Sequence, residues 1–399
     1  MRVTLLGTLP PLKGISPYCA HLLEALSSRD DVEVDFLGFR RLYPGRLYPG
    51  GREREAGAAS AVPPAGVRIR NTLAWHDPFS WLGAGLTLRG DVVHAQWWSY
   101  PTAPVFVAVL ALARGRGRRV VLTLHNVEPH ESGTWRRSFN AAVLRFADHF
   151  VVHAEQNRLA LMRKLGKNAE GRVSVIPMGI HRPDSIRGLT PAEGKSLLGL
   201  PRDHWVVLFF GNIRPYKGLD VLLRAFAGVR DEMERVTLVV AGQPWPAASG
   251  WQPYHRLIHS LGLDSSVCGF PGYASAAEVE RFFAAADVVV LPYTHFDAQS
   301  AAGTLALTFG RPLLVSDVGG LPELVRDRSA VVSPGSPEAL RDALLRVLCD
   351  ESLRQRLGDD SRALAEAYRW DEVARRTVEV YRQVLVPSLT RREGVAAGG

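Results

Sequence analysis

Residues 206–226, VVLFFGNIRPYKGLDVLLRAF, constrain this chain more than any other stretch. Val206 to Phe210 is short, wholly apolar and built of β-branched and aromatic residues, which predicts a strand buried on both faces. Gly211 ends it, and Asp220, Leu222, Leu223 and Phe226 open a helical period. Asn212, Arg214, Lys217 and Gly218 fall between the two. In open α/β sheets, ligands bind where a strand's carboxyl end runs through a loop into a helix N-terminus. Free amides there favour an anion, and Arg214 and Lys217 add two positive charges. Two readings fit the stretch by itself: a diphosphate site, or a solvated loop with ordinary surface cations.

The same alternation runs through the whole chain. Strands are predicted at Val3–Leu6, Val32–Leu37, Asp91–Gln96, Arg119–Leu124, Phe150–His153 and Val173–Ile176, with helices between them. A helix from about Pro17 to Ser27 has Ser16 as its expected N-cap. Arg41 to Gly50 is a direct duplication, RLYPG-RLYPG, and the Gly/Ala/Pro-rich stretch on to Gly66 reads as a long irregular loop. Pro177–Arg202 is a Pro/Gly-rich connector carrying a short helix near Pro191–Leu198. The pattern then restarts, with strands at Val206–Phe210, Val236–Ala241, Ser266–Phe270, Val288–Leu291, Pro312–Ser316 and Ala330–Val332. Ser336–Asp350 is a further helix, and a last one runs from Trp370 to about Leu385.

At 399 residues, 46% of them apolar, the chain exceeds what one core usually holds, so two doubly wound α/β domains are expected. The expected boundaries are 1–182 with a returning helix at about 371–386, 183–370, and a disordered tail at 391–399. Neither half carries G-x-G-x-x-G after its first strand, which argues against a dinucleotide-dependent dehydrogenase. Cys19, Cys268 and Cys349 lie far apart without metal-ligand spacing, which suggests a reducing compartment. Met1-Arg2 leads directly into the first strand, so no signal peptide is expected. The longest apolar run, Val105–Ala113, is too short to cross a bilayer and reads as a buried helix.

The net charge of +8 is unevenly distributed. Residues 1–180 hold 23 Lys+Arg against 14 Asp+Glu, and the remainder holds 25 against 26. Arg114, Arg116, Arg118, Arg119, Arg136 and Arg137 make the densest part of the excess. Such a face suits an anionic membrane, an anionic acceptor or nucleic acid; arginine-rich composition alone is the bland explanation. Nucleic acid is disfavoured, because the basic residues lack interleaved aromatics or a known binding motif.

In the second half, FFGNIRPYKGLDVLLRAF, LVVAGQPW, VCGFPGYASAAEVERFFAAADVVVLPY and FGRPLLVSDVGGLPELV occur in sequence. Their order and spacing resemble the nucleotide-sugar domain of family 4 glycosyltransferases. DVVHAQWW, VVLTLHNVEPHE and VSVIPMGI in the first half also match, so the resemblance covers nearly the whole chain. It implies a GT-B fold, two Rossmann-like domains facing a cleft. It also implies an N-terminal acceptor domain, a C-terminal nucleotide-sugar donor domain, and a last helix crossing back to the first.

Residue by residue, the resemblance implies that Lys217 meets the donor diphosphate. The family places its arginine directly after the glycine, where Asn212 stands here, so Arg214 is assigned from chemistry instead. The family's two glutamates fall on Asp297 and Leu305, and Gln299-Ser300-Ala301 resembles a subgroup written QSG there. Asp297, Gln299, Ser300 and Gly303 are then expected around the donor sugar and phosphates. Gly272 and Tyr273 are expected around the base. In the first half, Lys13-Gly14 resembles a loop approaching phosphates and acceptor, and His125 matches a histidine facing the reacting centre. Trp97 and His130, with His94 and Glu131, are expected to shape the acceptor pocket or else to be core.

The expected activity is transfer of a sugar from a nucleotide-sugar to a glycan, lipid-linked or small-molecule acceptor, with retention. No cofactor or metal is expected: fixed cations and helix termini stabilise the departing diphosphate. The expected location is cytoplasmic, with the first domain docked on the inner face of the membrane. Two competitors stand beside it: a GT-B sugar-nucleotide epimerase, and an inactive sugar-nucleotide-binding protein, which the missing second glutamate favours.

Overall fold

The computed structural model describes residues 1–12, 14–43, 64–126, 134–180, 188–245, 250–296 and 300–386. The chain divides into two compact units: Met1–His153 with Arg158–Gly179 and Trp370–Gly399, and Ala154–Asn157 with Ile180–Arg369.

The first unit runs β1 (Arg2–Gly7), α1 (Ser16–Ser27), β2 (Glu33–Arg41), β3 (Arg68–Ala74), α2 (Pro78–Leu86), β4 (Val92–Trp97) and α3 (Ala103–Gly115). It continues with β5 (Arg119–Leu124), α4 (Thr134–Leu144), β6 (His149–Val152), α5 (Glu155–Leu165) and β7 (Val173–Val175). Among the described residues its sheet has seven strands, all parallel, in the order β3-β2-β1-β4-β5-β6-β7. That is the doubly wound Rossmann order, with its switch point between β1 and β4. β4 is buried along its whole length, as a central strand with helices on both faces must be.

The second unit runs α6 (Pro191–Leu197), β8 (Trp205–Phe210), α7 (Leu219–Glu232), β9 (Val236–Gly242), α8 (Gln252–Ser260), β10 (Val267–Pro271) and α9 (Ala276–Ala285). β11 (Val288–Leu291), α10 (Ala301–Thr308), β12 (Leu313–Ser316), β13 (Val331–Val332), α11 (Pro337–Cys349) and α12 (Glu351–Ala367) follow. Its six described strands, all parallel, repeat the plan in the order β10-β9-β8-β11-β12-β13, so the switch point lies between β8 and β11. Residues 206–226 therefore sit where this architecture binds ligands.

The last helix, α13 (Trp370–Leu385), belongs to the first unit. Its strongly amphipathic face puts Val373, Val378 and Tyr381 into one core with Tyr18, Leu22 and Leu26 of α1. The run Val105–Ala113 lies within α3, which buries Val105, Phe106, Val109 and Leu110. Among the described residues no helix is long and apolar enough to cross a membrane.

Two local expectations fail. Ser16 is not an N-cap: α1 starts at Ser16 itself, and Ile15 holds the cap position without a side-chain bond. The loop after β1 folds over the helix start, and the buried Ser16 hydroxyl donates instead to Thr8 Oγ1 at 2.8 Å. β3 and α2 also stand where no element is expected. β3 is an edge strand that buries only Leu73 and Ala74, so its sequence RIRNTLA carries no apolar run. Of the RLYPG duplication only Arg41, Leu42 and Tyr43 are described, Arg41 as the last residue of β2 and not as loop; its remainder and the 391–399 tail lie outside the described residues.

Candidate functional site

A cavity of about 450 Å³ opens at the carboxyl edge of the second sheet. It is lined by Gly211, Asn212, Tyr216 and Lys217 after β8, Gly242 and Gln243 at the end of β9, and Gly272 and Tyr273 after β10. Tyr293, Phe296, Ser300 and Ala301 close it from the β11–α10 side. Backbone bonds pin these loops to one another. Ile213 N–H donates to Gln243 O at 2.8 Å, Gly272 N–H to Gly242 O at 3.0 Å, and Thr294 N–H to Tyr216 O at 2.8 Å. Gly218 starts α7 in the left-handed region, φ 68°, where a Cβ would stand 1.9 Å from Pro292 O. Only glycine permits that approach.

Lys217 ends a short 3₁₀ turn, Pro215–Lys217, that aims its ammonium back at the strand end. Nζ lies 5.1 Å from the centroid of the Tyr293 ring. At Gly211, φ 111°, a Cβ would lie 3.2 Å from Nζ and 3.8 Å from Ala302 Cβ. Ammonium, strand end and the start of α10 thus converge on one point, with the free amides of a helix N-terminus beside a cation. Burial, and then the charge of Arg214, lower the Lys217 pKa to about 8. It is still a cation at pH 7. Being partly stripped of water, it attracts an anion more strongly than a solvated lysine would.

Arg214 is placed differently from the expectation. Its guanidinium lies 5.2 Å above the Trp245 ring, and it is not among the residues lining the cavity. Its charge still reaches Lys217. The walls are aromatic: Tyr216 and Phe296 stack at 6.1 Å, and Tyr293 meets Phe296 edge-on at 5.2 Å. Sequence reasoning passed over these three rings, although Tyr293 and Phe296 follow directly on the buried run Val288–Leu291. Tyr273 is 80% exposed at the mouth, and Asn212 is exposed beside Gly211.

Ser300 is buried, and its hydroxyl is already engaged: it lies 3.1 Å from Tyr293 Oη and caps α10 by accepting from Gly303 N–H at 3.4 Å. Gly303 is not brought into the cavity. A Cβ there would lie 2.4 Å from Leu324 Cδ1 and 3.1 Å from Leu291 Cδ1, so its lack of a side chain serves packing. Asp297, Gln299, Lys13, His130 and Glu131 lie outside the described residues.

In the first unit, Gly14 adopts φ 91° with open space where a Cβ would point. Trp97 is core and not pocket: it is 3% exposed, meets Phe106 edge-on, and donates from Nε1 to Asn140 Oδ1 at 2.8 Å. It takes this place because every residue of β4 is buried. His94 is likewise buried, between Tyr381 Oη and Thr123 Oγ1, each at 2.7 Å. His125 stands at the carboxyl end of β5, its backbone N–H donating to Trp97 O at 3.0 Å. Both of its ring nitrogens are engaged within the unit, Nε2 with Gln96 Oε1 at 3.0 Å and Nδ1 with His153 Nε2 at 3.2 Å.

Comparison with known proteins fits this geometry. Residues 12–182 match the family profile described as "Glycosyltransferase Family 4", and residues 195–364 match "Glycosyl transferases group 1". A curated D-inositol 3-phosphate glycosyltransferase from Nocardioides sp. is 30% identical over 320 residues, 73% of this chain and 67% of that protein. The chain belongs to glycosyltransferase family 4. A relative of the same description from Streptomyces bingchenggensis is 32% identical over 252 residues. That match covers 60% of the family 4 chain but only 53%, about half, of the relative's own length. The crystal structure of Anabaena HepE in complex with UDP aligns with a TM-score of 0.72 at 18% identity, covering 96% of this chain and 100% of that one. Sucrose-phosphate synthase from Thermosynechococcus elongatus aligns at 0.69 and 20% identity, covering 96% and 99%. The fold of the family 4 chain is GT-B, two Rossmann-like units.

Proposed function

We propose that the protein transfers a sugar from a nucleoside diphosphate sugar to a hydroxyl acceptor, with retention and without a metal ion. The observation that carries this reading is the Lys217 ammonium, held against Gly211 and the start of α10 inside an aromatic-walled pocket. The diphosphate gains negative charge as it departs, and a preformed cation beside helix amides stabilises that charge in the transition state. The aromatic rings give the base or sugar a surface to stack on. Membership of family 4 supports the retention. It is tested by panel assay: thermal shift and turnover with sugar nucleotides, UDP-glucose included because HepE is described in complex with it. D-inositol 3-phosphate belongs among the acceptors because the curated relatives' names contain it. A donor-dependent Tm rise with transfer that persists in EDTA is expected. A Tm rise without transfer selects the inactive binder, and conversion of the free sugar nucleotide selects the epimerase.

For location we infer a cytoplasmic protein whose first unit docks on an anionic membrane. The basic cluster before β5 supports this less than its sequence suggests. Arg114 and Arg119 pair with Asp148 at 2.5 and 3.4 Å, Arg118 pairs with Asp91 at 3.6 Å, and all lie at the amino edge of the sheet. A better surface is α2 with the turn before it, where Phe79 is 84% exposed, Leu86 54%, Leu82 47% and Trp75 38%. Phe79, Leu82 and Leu86 share one helical face, and the exposed Arg40 and Arg41 end the neighbouring strand. Co-sedimentation with phosphatidylglycerol vesicles at low salt is the expected result, largely lost in Phe79→Ser/Leu86→Ser. No lipid-dependent binding would leave a protein that works free of the membrane.

A further inference from the structure

The polar chain behind His125 holds a proton count that two neutral rings cannot meet. His153 Nδ1 faces the backbone oxygen of Ile176 at 3.0 Å, and a carbonyl only accepts, so Nδ1 carries a hydrogen. His153 Nε2 faces His125 Nδ1, and His125 Nε2 faces Gln96 Oε1, which again only accepts. Three contacts need three hydrogens, and two neutral imidazoles supply two. Either the pair takes up an extra proton, or the Gln96 amide turns by 180° so that its NH₂ donates to His125 Nε2. In the turned state the His94 Nε2–H is shared between Thr123 Oγ1 at 2.7 Å and Gln96 Oε1 at 3.2 Å, and Tyr381 O–H donates to His94 Nδ1 at 2.7 Å. Every group is then satisfied without a charge.

The surroundings select the neutral state. Tyr18 of α1 packs edge-on against His125 at 4.8 Å and His153 at 5.2 Å. Facing the pair are His94 and Gln96 from β4, Thr123 from β5 and, through His94, Tyr381 from α13. None of these described groups is a carboxylate that would hold an imidazolium. Burial lowers the pKa of His153 to about 4 and that of His125 well below its ordinary value.

We propose that His153 and Gln96 are positioning residues that hold His125 neutral, protonated on Nδ1, with the lone pair of Nε2 as the group it offers to substrate. An incoming hydroxyl takes that lone pair over from the Gln96 amide, one donor replacing another without net proton uptake. His125 then reads a sugar or acceptor hydroxyl and is not a ligand of the diphosphate. This step rests on the glycosyl-transfer reading; the tautomer itself does not.

Long-range ¹H–¹⁵N correlation spectra of the ¹⁵N-histidine-labelled full chain at pH 7.5 test the tautomer, with His125 assigned by the peaks lost in His125→Asn. Protonation on Nδ1 is expected. An Nε2–H ring or an imidazolium would overturn the proposal, whatever the protein's activity. Turnover adds a second arm. Gln96→Glu in its ionised form only accepts, so at pH 8 it draws a hydrogen onto His125 Nε2 and should cost about 10²-fold or more, whereas Gln96→Met keeps the lone pair and should cost less than about 10-fold. A purely structural Gln96 gives the reverse order, since glutamate is the closer isostere, and that order would refute the proposal.

Discussion

Lys217→Ala is expected to cut sugar transfer by about 10²–10³-fold or more, the loss of ~3–4 kcal/mol that removing one preorganised donor to a developing anion typically brings. Lys217 belongs to neither core cluster of the second unit, so Tm should stay near wild type. Arg214→Ala should cost less, because Arg214 lies over Trp245 and does not line the cavity. The pH dependence carries the same signature. With its pKa lowered to about 8, Lys217 is a cation below that value and loses its charge as pH rises through it. Donor affinity should therefore hold from pH 6 to 7 and fall above 8, and the Lys217→Ala variant should lack this fall. A fully active Lys217→Ala variant would sink the diphosphate assignment.

Ending the chain at Arg369 is expected to unfold the first unit. Val373, Val378, Val380, Tyr381 and Val384 are buried against α1 and the sheet. At about 2 kcal/mol per buried side chain, their loss sums to ~10 kcal/mol, as much as the whole stability of an ordinary domain at ~5–15 kcal/mol. Tyr381→Phe in the full chain should cost only ~1–3 kcal/mol, by stranding His94 Nδ1 without its partner. Chemical denaturation followed by near-UV circular dichroism measures both. A truncated chain that unfolds cooperatively at the wild-type midpoint would show that α13 is dispensable.

What could be read from sequence was what repeats with a period. Strands buried along most or all of their length, such as Val206–Phe210 and Val236–Ala241, have no polar face, so their runs stand out and their loops follow by position. β3 escaped because an edge strand with one buried end shows no period. α2 escaped because PFSWLGAGL carries three apolar residues on its exposed face, against the usual pattern. At the candidate site, the place of Lys217 beside the end of β8 was legible through chemistry and spacing together. Arg214, Trp97 and Gly303 were not, because where a side chain points depends on neighbours distant in sequence: Trp245, Asn140 and Leu324. The Gln96–His125–His153 chain was equally hidden, since its members come from three different strand ends.

The place of α13 in the first unit reverses the order in which the protein can be completed. A ribosome adding ~5–20 residues per second needs roughly 10–40 s to pass from Gly179 to Trp370. During that interval Tyr18, Leu22 and Leu26 wait with their cover unmade. The second unit, almost wholly continuous in sequence, has all its strands and helices before then. The half synthesised first is therefore the half sealed last, and it is the nascent first unit, open along α1, that a chaperone or protease meets.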